Sequence, residues 1–232
     1  VIIPVRSCAS YNALSIKTAE PMDIFLPISV AIASYLLGSL SFAVIVTRIM
    51  GLADPRSYGS KNPGATNVLR SGSKKAAILT LLLDAFKGWL PVALVLWTGP
   101  DLGLGPGTAA LAGLGAFLGH LFPVFFGFAG GKGVATALGV VVGVNGWLAL
   151  ATLASFAIVV YFSRFVSLAS MVAAVFAPVY YFLGNQVAWE ATAAEILALA
   201  VMALLLVWRH RENIQRLLAG TESRLGGGKK AG

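Results

Sequence analysis

The chain has 232 residues, 58% hydrophobic and only 11% charged, with a net charge of +8. That balance excludes an ordinary soluble domain. The single cysteine, Cys8, excludes an intrachain disulfide and a cysteine-cluster metal site, and the two histidines exclude a His-rich one, so no metal or cofactor is expected. No stretch alternates polar and apolar residues with period two, as barrel strands would, so the expected class is an all-α integral membrane protein.

Residues 1–21 are mixed in character and lack the charged and apolar regions of a cleaved signal. They read as an N-terminal extension, expected to be disordered, with Met22 as the natural start. The membrane domain is expected over 22–224, followed by a flexible basic tail over 225–232.

The first apolar run, 24–46, leads into a loop over 47–75 that contains Y-G-S-K-N-P-G-A-T-N-V-L-R, from Tyr58 to Arg70. Such a run suits a solvated turn. It also suits an anion-handling loop, with Ser60, Asn62, Thr66 and Asn67 as hydrogen-bond donors and Arg70 as a bidentate phosphate clamp. The second run, 76–97, holds Asp84 and Lys87, spaced i, i+3 on one helix face; mutual pairing explains them best, because a lone charge in the bilayer is costly. The third run, 108–126, ends in G-H-L-F-P, where His120 reads as a packing residue.

Gly127 to Gly139 then reads G-F-A-G-G-K-G-V-A-T-A-L-G. Gly130, Gly131 and Gly133 would let backbone N–H groups approach an anion, Lys132 would add a charge, and the helix expected from Val134 would add its positive end. This is not a Walker A loop, because Phe126 and Gly133 stand where that motif needs glycine and a hydroxyl residue. Residues 134–144 and 147–162 are short for two crossings and long for one, with the turn signal Asn145-Gly146 between them. The run 165–183 carries Ser167 and Ser170 one helical turn apart, just after Arg164. The last run, 192–208, continues into W-R-H-R-E-N-I-Q-R-L-L-A-G-T-E, expected to stay helical from Trp208 to Leu218, with His210, Asn213 and Arg216 at helical spacing. A basic juxtamembrane segment accounts for Arg209 and Arg211.

Charge decides the number of spans. With seven, one side receives the loop 47–75, the Lys132 turn, Arg164 and the tail, while the connections 98–107, 145–146 and 184–191 contain no Lys or Arg. The positive-inside rule therefore favours seven transmembrane helices, with the N-terminus outside and the C-terminus cytoplasmic. It also explains the basic charge without nucleic acid as a partner. Trp97, Trp147, Trp189 and Trp208 fall near the expected span ends, as interfacial anchors should. On the cytoplasmic face Ser60, Arg70, Lys132, Ser170, His210, Asn213 and Arg216 gather, an excess of cations and neutral donors suited to one or two phosphates.

G-S-L-S-F, G-S-K-N-P-G-A-T-N-V-L-R, L-D-A-F-K-G, G-H-L-F-P-V-F-F-G-F-A-G-G-K-G-V-A-T, S-L-A-S and R-H-R-E-N-I-Q-R-L-L-A-G-T-E, in this order over about residues 25–222, closely resemble the bacterial acyl-phosphate:glycerol-3-phosphate acyltransferases. The resemblance implies seven membrane helices in the bacterial cytoplasmic (inner) membrane, an active site facing the cytoplasm, and a fatty acyl group moved from acyl phosphate to the 1-hydroxyl of glycerol 3-phosphate. Lysophosphatidic acid and phosphate would result, in phospholipid biosynthesis, without direct use of acyl-CoA or acyl carrier protein. It implies that Ser60 and Arg70 are essential, that Gly130, Gly131, Lys132 and Gly133 form a phosphate loop, that Ser170 contacts substrate, that His210 and Asn213 belong to the active site, and that Glu222 maintains structure. A soluble enzyme that supplies acyl phosphate is the implied partner, beside membrane lipid. Lys61 departs from the family, many members of which carry glycine there.

Direct attack of the glycerol hydroxyl on the acyl carbonyl is the expected chemistry, with His210 or the substrate phosphate as proton acceptor and the assignment of residues to the two phosphates open. The competing readings are an organic-phosphate transporter, which would need internal repeats that are absent, and a membrane anchor, which would leave Asp84 and the glycine turn unexplained.

Overall fold

The computed structural model describes residues 21–226, so most of the expected N-terminal extension and residues 227–232 of the tail lie outside the described residues. Ten α-helices follow in chain order among them: α1 Pro21–Gly38, α2 Phe42–Ile49, α3 Ala65–Leu69, α4 Lys74–Thr98, α5 Pro106–Leu121, α6 Val134–Val144, α7 Gly146–Ser163, α8 Val166–Leu183, α9 Ala193–Arg209 and α10 Arg211–Leu218. Five stretches are long and apolar enough to cross a membrane, Ile24–Ile49, Lys74–Thr98, Pro106–Phe126, Gly146–Ser163 and Val166–Leu183, and the count reaches six if the bent pair α9–α10 is taken as one span. The run at 134–144 is helical but has only 11 residues. At about 1.5 Å per residue it is roughly 16 Å long, about half of a hydrocarbon core.

The bundle is apolar outside as well as inside. Ile24, Ile28, Ile32 and Leu36 form an exposed stripe along α1, as a lipid-facing surface requires. Without a hydrophobic force between helices in lipid, close backbone approach holds them together. The α4–α6 contact illustrates this: a Cβ on Gly139 would overlap the Ala85 carbonyl, and one on Gly88 the Thr136 carbonyl. Ser73 caps α4 by accepting the Ala76 N–H at 3.2 Å, and Asn145 caps α7 by accepting the Leu148 N–H at 2.9 Å.

Three features differ from the sequence expectation. The first span is broken between Gly38 and Phe42. The freed Leu40 carbonyl is capped by Lys87 Nζ at 2.7 Å, which also pairs with Asp84 Oδ1 at 2.8 Å. The helix expected from Trp208 to Leu218 is bent by 55° between α9 and α10. Trp189 is not a free interfacial anchor: it stacks on Tyr181 at 6.0 Å and donates its indole N–H to the Tyr181 carbonyl at 2.9 Å. At that end Glu195 is buried as part of a capping box with Thr192, and its Oε2 also accepts the Tyr181 hydroxyl at 2.9 Å.

Candidate active site

The bend at His210 is the pivot of the site. His210 ends α9 and starts α10, so the change of direction turns its ring and Asn213 inward, and both are buried. His210 Nδ1 lies 2.8 Å from the Leu206 carbonyl. A carbonyl only accepts, so Nδ1 carries the hydrogen, and in the neutral ring Nε2 is left as an acceptor. Burial pushes the pKa of His210 down to about 4, against the raising effect of that hydrogen bond.

Asn213 connects two charges. Its Oδ1 accepts from Lys132 Nζ and its Nδ2 donates to Glu222 Oε1 at 2.6 Å. The same Glu222 oxygen accepts the Ser167 hydroxyl at 2.7 Å, while Oε2 accepts from Arg216 Nε at 2.7 Å. Burial opposes the charge on Glu222, but these three donors outweigh it and hold its pKa below the usual range. For Lys132, burial first and the charge of Arg216 second lower the pKa to about 8.

The glycine turn is built differently from the sequence expectation. The Gly131 N–H donates to the His120 carbonyl at 3.2 Å, so it is not free for an anion. A Cβ on Gly130 would strike the His120 and Leu121 carbonyls, and one on Gly131 the His120 ring and the Pro63 carbonyl. Neither glycine lines the cavity described below, whereas Lys132 and Gly133 do. These two glycines serve close packing, and the first turn of α6 offers further unpaired N–H groups. Gly133 needs no side chain for a further reason, its φ of 82°.

Arg209 fixes the turn from behind. Its Nε donates to the Gly131 carbonyl at 3.1 Å and its Nη2 to the Gly130 carbonyl at 2.7 Å. Sequence reasoning missed this, because the partners are main-chain atoms distant in sequence. Asn67 is likewise occupied: Oδ1 accepts the Ser60 N–H at 3.0 Å, and Nδ2 donates to the carbonyls of Pro55 at 2.6 Å and Tyr58 at 3.2 Å. It clasps the loop that presents Ser60 and is not available as a phosphate donor. Lys61 in that loop adopts a φ of 54°, in the left-handed region where a side chain costs roughly 1–2 kcal/mol and glycine pays no such cost.

These elements enclose a polar cavity of about 510 Å³ lined by Ser60, Arg70, Lys132, Gly133, Ser170, His210, Asn213, Arg216 and Glu222. Asp84 and His120 form part of its wall. His120 Nδ1 is 3.1 Å from Thr136 Oγ1 and 3.6 Å from Asp84 Oδ1. Ser170 donates to the Val166 carbonyl at 2.8 Å, so its oxygen remains an acceptor. A second cavity, of about 570 Å³, is almost entirely apolar and runs between α4, α6, α7, α8 and α9. Thr66, Leu69, Val134, Ala135, Ser170 and Leu225 line both. Lys87 lines neither.

The family model described as glycerol-3-phosphate acyltransferase matches residues 28–220, well over half of the chain. The chain belongs to this family. A glycerol-3-phosphate acyltransferase of Albidiferax ferrireducens is 64% identical over 212 residues, covering 91% of this chain and 94% of the relative. One of Ralstonia pickettii is 60% identical over 201 residues, covering 87% and 95%. The crystal structure of PlsY (YgiH), an integral membrane glycerol 3-phosphate acyltransferase, in its glycerol 3-phosphate form, superposes with a TM-score of 0.79 at 39% identity, covering 87% of this chain and 96% of that one. Its lysophosphatidic acid form gives a TM-score of 0.77. The chain is thus an all-α, multi-pass integral membrane protein of a family of glycerol-3-phosphate acyltransferases.

Proposed function

We propose that the protein transfers a fatty acyl group from acyl phosphate to the 1-hydroxyl of glycerol 3-phosphate, releasing lysophosphatidic acid and phosphate. The observation that carries this reading is the shared wall between a cation-lined cavity and an apolar groove. Glycerol 3-phosphate fits the first, with its phosphate between Arg70, Lys132 and the first turn of α6. The acyl chain fits the second, and the two reacting atoms then meet near Ser170.

The hydroxyl oxygen forms a bond to the acyl carbonyl carbon, and the bond from that carbon to the phosphate oxygen breaks. Phosphate is a good leaving group, so charge neutralisation and alignment are the main tasks. The hydroxyl proton passes to the departing phosphate. With a second pKa near 6, a phosphate group is a stronger base than His210 at about 4. Nε2 of His210 accepts the hydrogen bond that aims the hydroxyl. Glu222, Asn213 and Arg209 act on the substrate through Lys132, Arg216 and the turn. Asp84 and Lys87 support the helices behind it.

The active site faces the cytoplasm of a bacterial inner membrane in a seven-span arrangement with the N-terminus outside, α6 being a short crossing that delivers its N-terminal end to the site. The segregation of Lys and Arg supports this. Purified protein given palmitoyl phosphate and glycerol 3-phosphate should produce lysophosphatidic acid and phosphate in equal amounts. Folded protein that forms product only from an acyl thioester would overturn the donor assignment.

A further inference from the structure

We propose that Arg224 is a donor-site cation that binds the phosphate head of the acyl phosphate where the polar cavity opens into the apolar groove; this rests on the acyl-phosphate reading above. The matched family pattern stops at residue 220. Yet the chain beyond it folds back across the site. The Thr221 and Glu222 N–H groups donate to the Arg216 carbonyl at 2.8 and 3.2 Å, closing α10 and sending the Glu222 side chain inward. Ser223 Oγ then accepts from Arg70 Nη2 at 3.4 Å, and the Leu225 N–H donates to the Arg164 carbonyl at 2.7 Å. Arg224, held between these two anchors, lies over the Phe165 ring at 5.4 Å and lines the polar cavity, while Leu225 lines both cavities. A planar guanidinium resting on an aromatic face keeps its N–H edge for an anion.

Charge and geometry both call for a cation there. Two phosphate groups bring about −1.5 to −2 each. Among the described residues Arg216 is neutralised by Glu222, which leaves Arg70 and Lys132 as the cavity's other uncompensated cations; Arg224 has no carboxylate partner. An acyl chain lying in the groove, with its carbonyl reaching the glycerol hydroxyl, puts the donor phosphate at the shared rim where Leu225 and Arg224 sit.

Initial rates of the purified full chain, with each substrate varied while the other saturates, test this in Arg224→Gln and Arg224→Lys. Arg224→Gln should raise KM for palmitoyl phosphate about tenfold and leave KM for glycerol 3-phosphate within about twofold, at an unchanged thermal midpoint. Arg224→Lys, which keeps the charge but loses the stacked planar donor, should recover part of the loss. An active wild type in which Arg224→Gln raises both KM values together, or neither, overturns the proposal alone. So does an Arg224→Lys variant that folds normally but is no better than Arg224→Gln. A wild type inactive with palmitoyl phosphate overturns the donor reading and this assignment with it.

Discussion

Lys132, proposed to bind phosphate, lines the polar cavity with an ammonium whose pKa burial has lowered to about 8. It is a cation below that pH and neutral above it, so kcat/KM for glycerol 3-phosphate should fall as the pH rises through about 8. Lys132→Arg should move that limb above the measurable range if the variant retains turnover, because guanidinium stays charged. A limb that stays in place would assign it to another group. His210→Gln tests the proton route: it should lower kcat by about ten- to a hundredfold while product formation remains measurable and saturation by glycerol 3-phosphate persists, because an orienting hydrogen bond is weakened and no base is removed. Complete loss with substrate binding intact would make His210 the base. Residue types and motif spacing were enough to nominate Ser60, Arg70, Lys132, Ser170, His210, Asn213 and Arg216, all of which line one cavity. Arg209 was not legible, since a guanidinium that binds carbonyls leaves no complementary side chain in the sequence. The close packing of Gly130 and Gly131 was not legible either, because a glycine that packs and a glycine that binds look the same in sequence.

At the scale of elements, hydropathy located the long apolar helices and the short apolar α6 at 134–144, with no more than a few residues' difference at most ends. It could not show the break after Gly38 or the bend at His210. At the first, Lys87 from the distant α4 satisfies the freed Leu40 carbonyl; at the second, the His210 ring turns back onto the Leu206 carbonyl at the end of α9. The α4–α6 contact positions the first turn of α6, and Gly139 permits it. Gly139→Ala should destabilise the protein by roughly 1–3 kcal/mol through overpacking against the Ala85 carbonyl. Thermal unfolding in detergent should show a lowered midpoint, and an unchanged midpoint would mean that α4 and α6 can separate without cost.

For the whole molecule, the charge asymmetry predicts sidedness. In a Cys8→Ser background, Gln186→Cys should react with an impermeant maleimide in intact cells, and Ser71→Cys only after permeabilisation. The reverse pattern would invert the topology. The larger organisation, a cation-lined cavity continuous with an apolar groove, was legible only as an expectation that polar motifs share one face; the groove itself arises from small residues on α8 and α9 that have no motif. The central claim is that these two spaces are halves of one reaction site, with the acyl chain extending toward Ala177 and Leu199. Its most direct measurement is chain-length preference in Ala177→Phe, which shortens the groove at the end remote from Lys132. Preference in kcat/KM should shift from palmitoyl phosphate toward shorter acyl phosphates, with KM for glycerol 3-phosphate unchanged. A folded, active Ala177→Phe with the wild-type chain preference would contradict it.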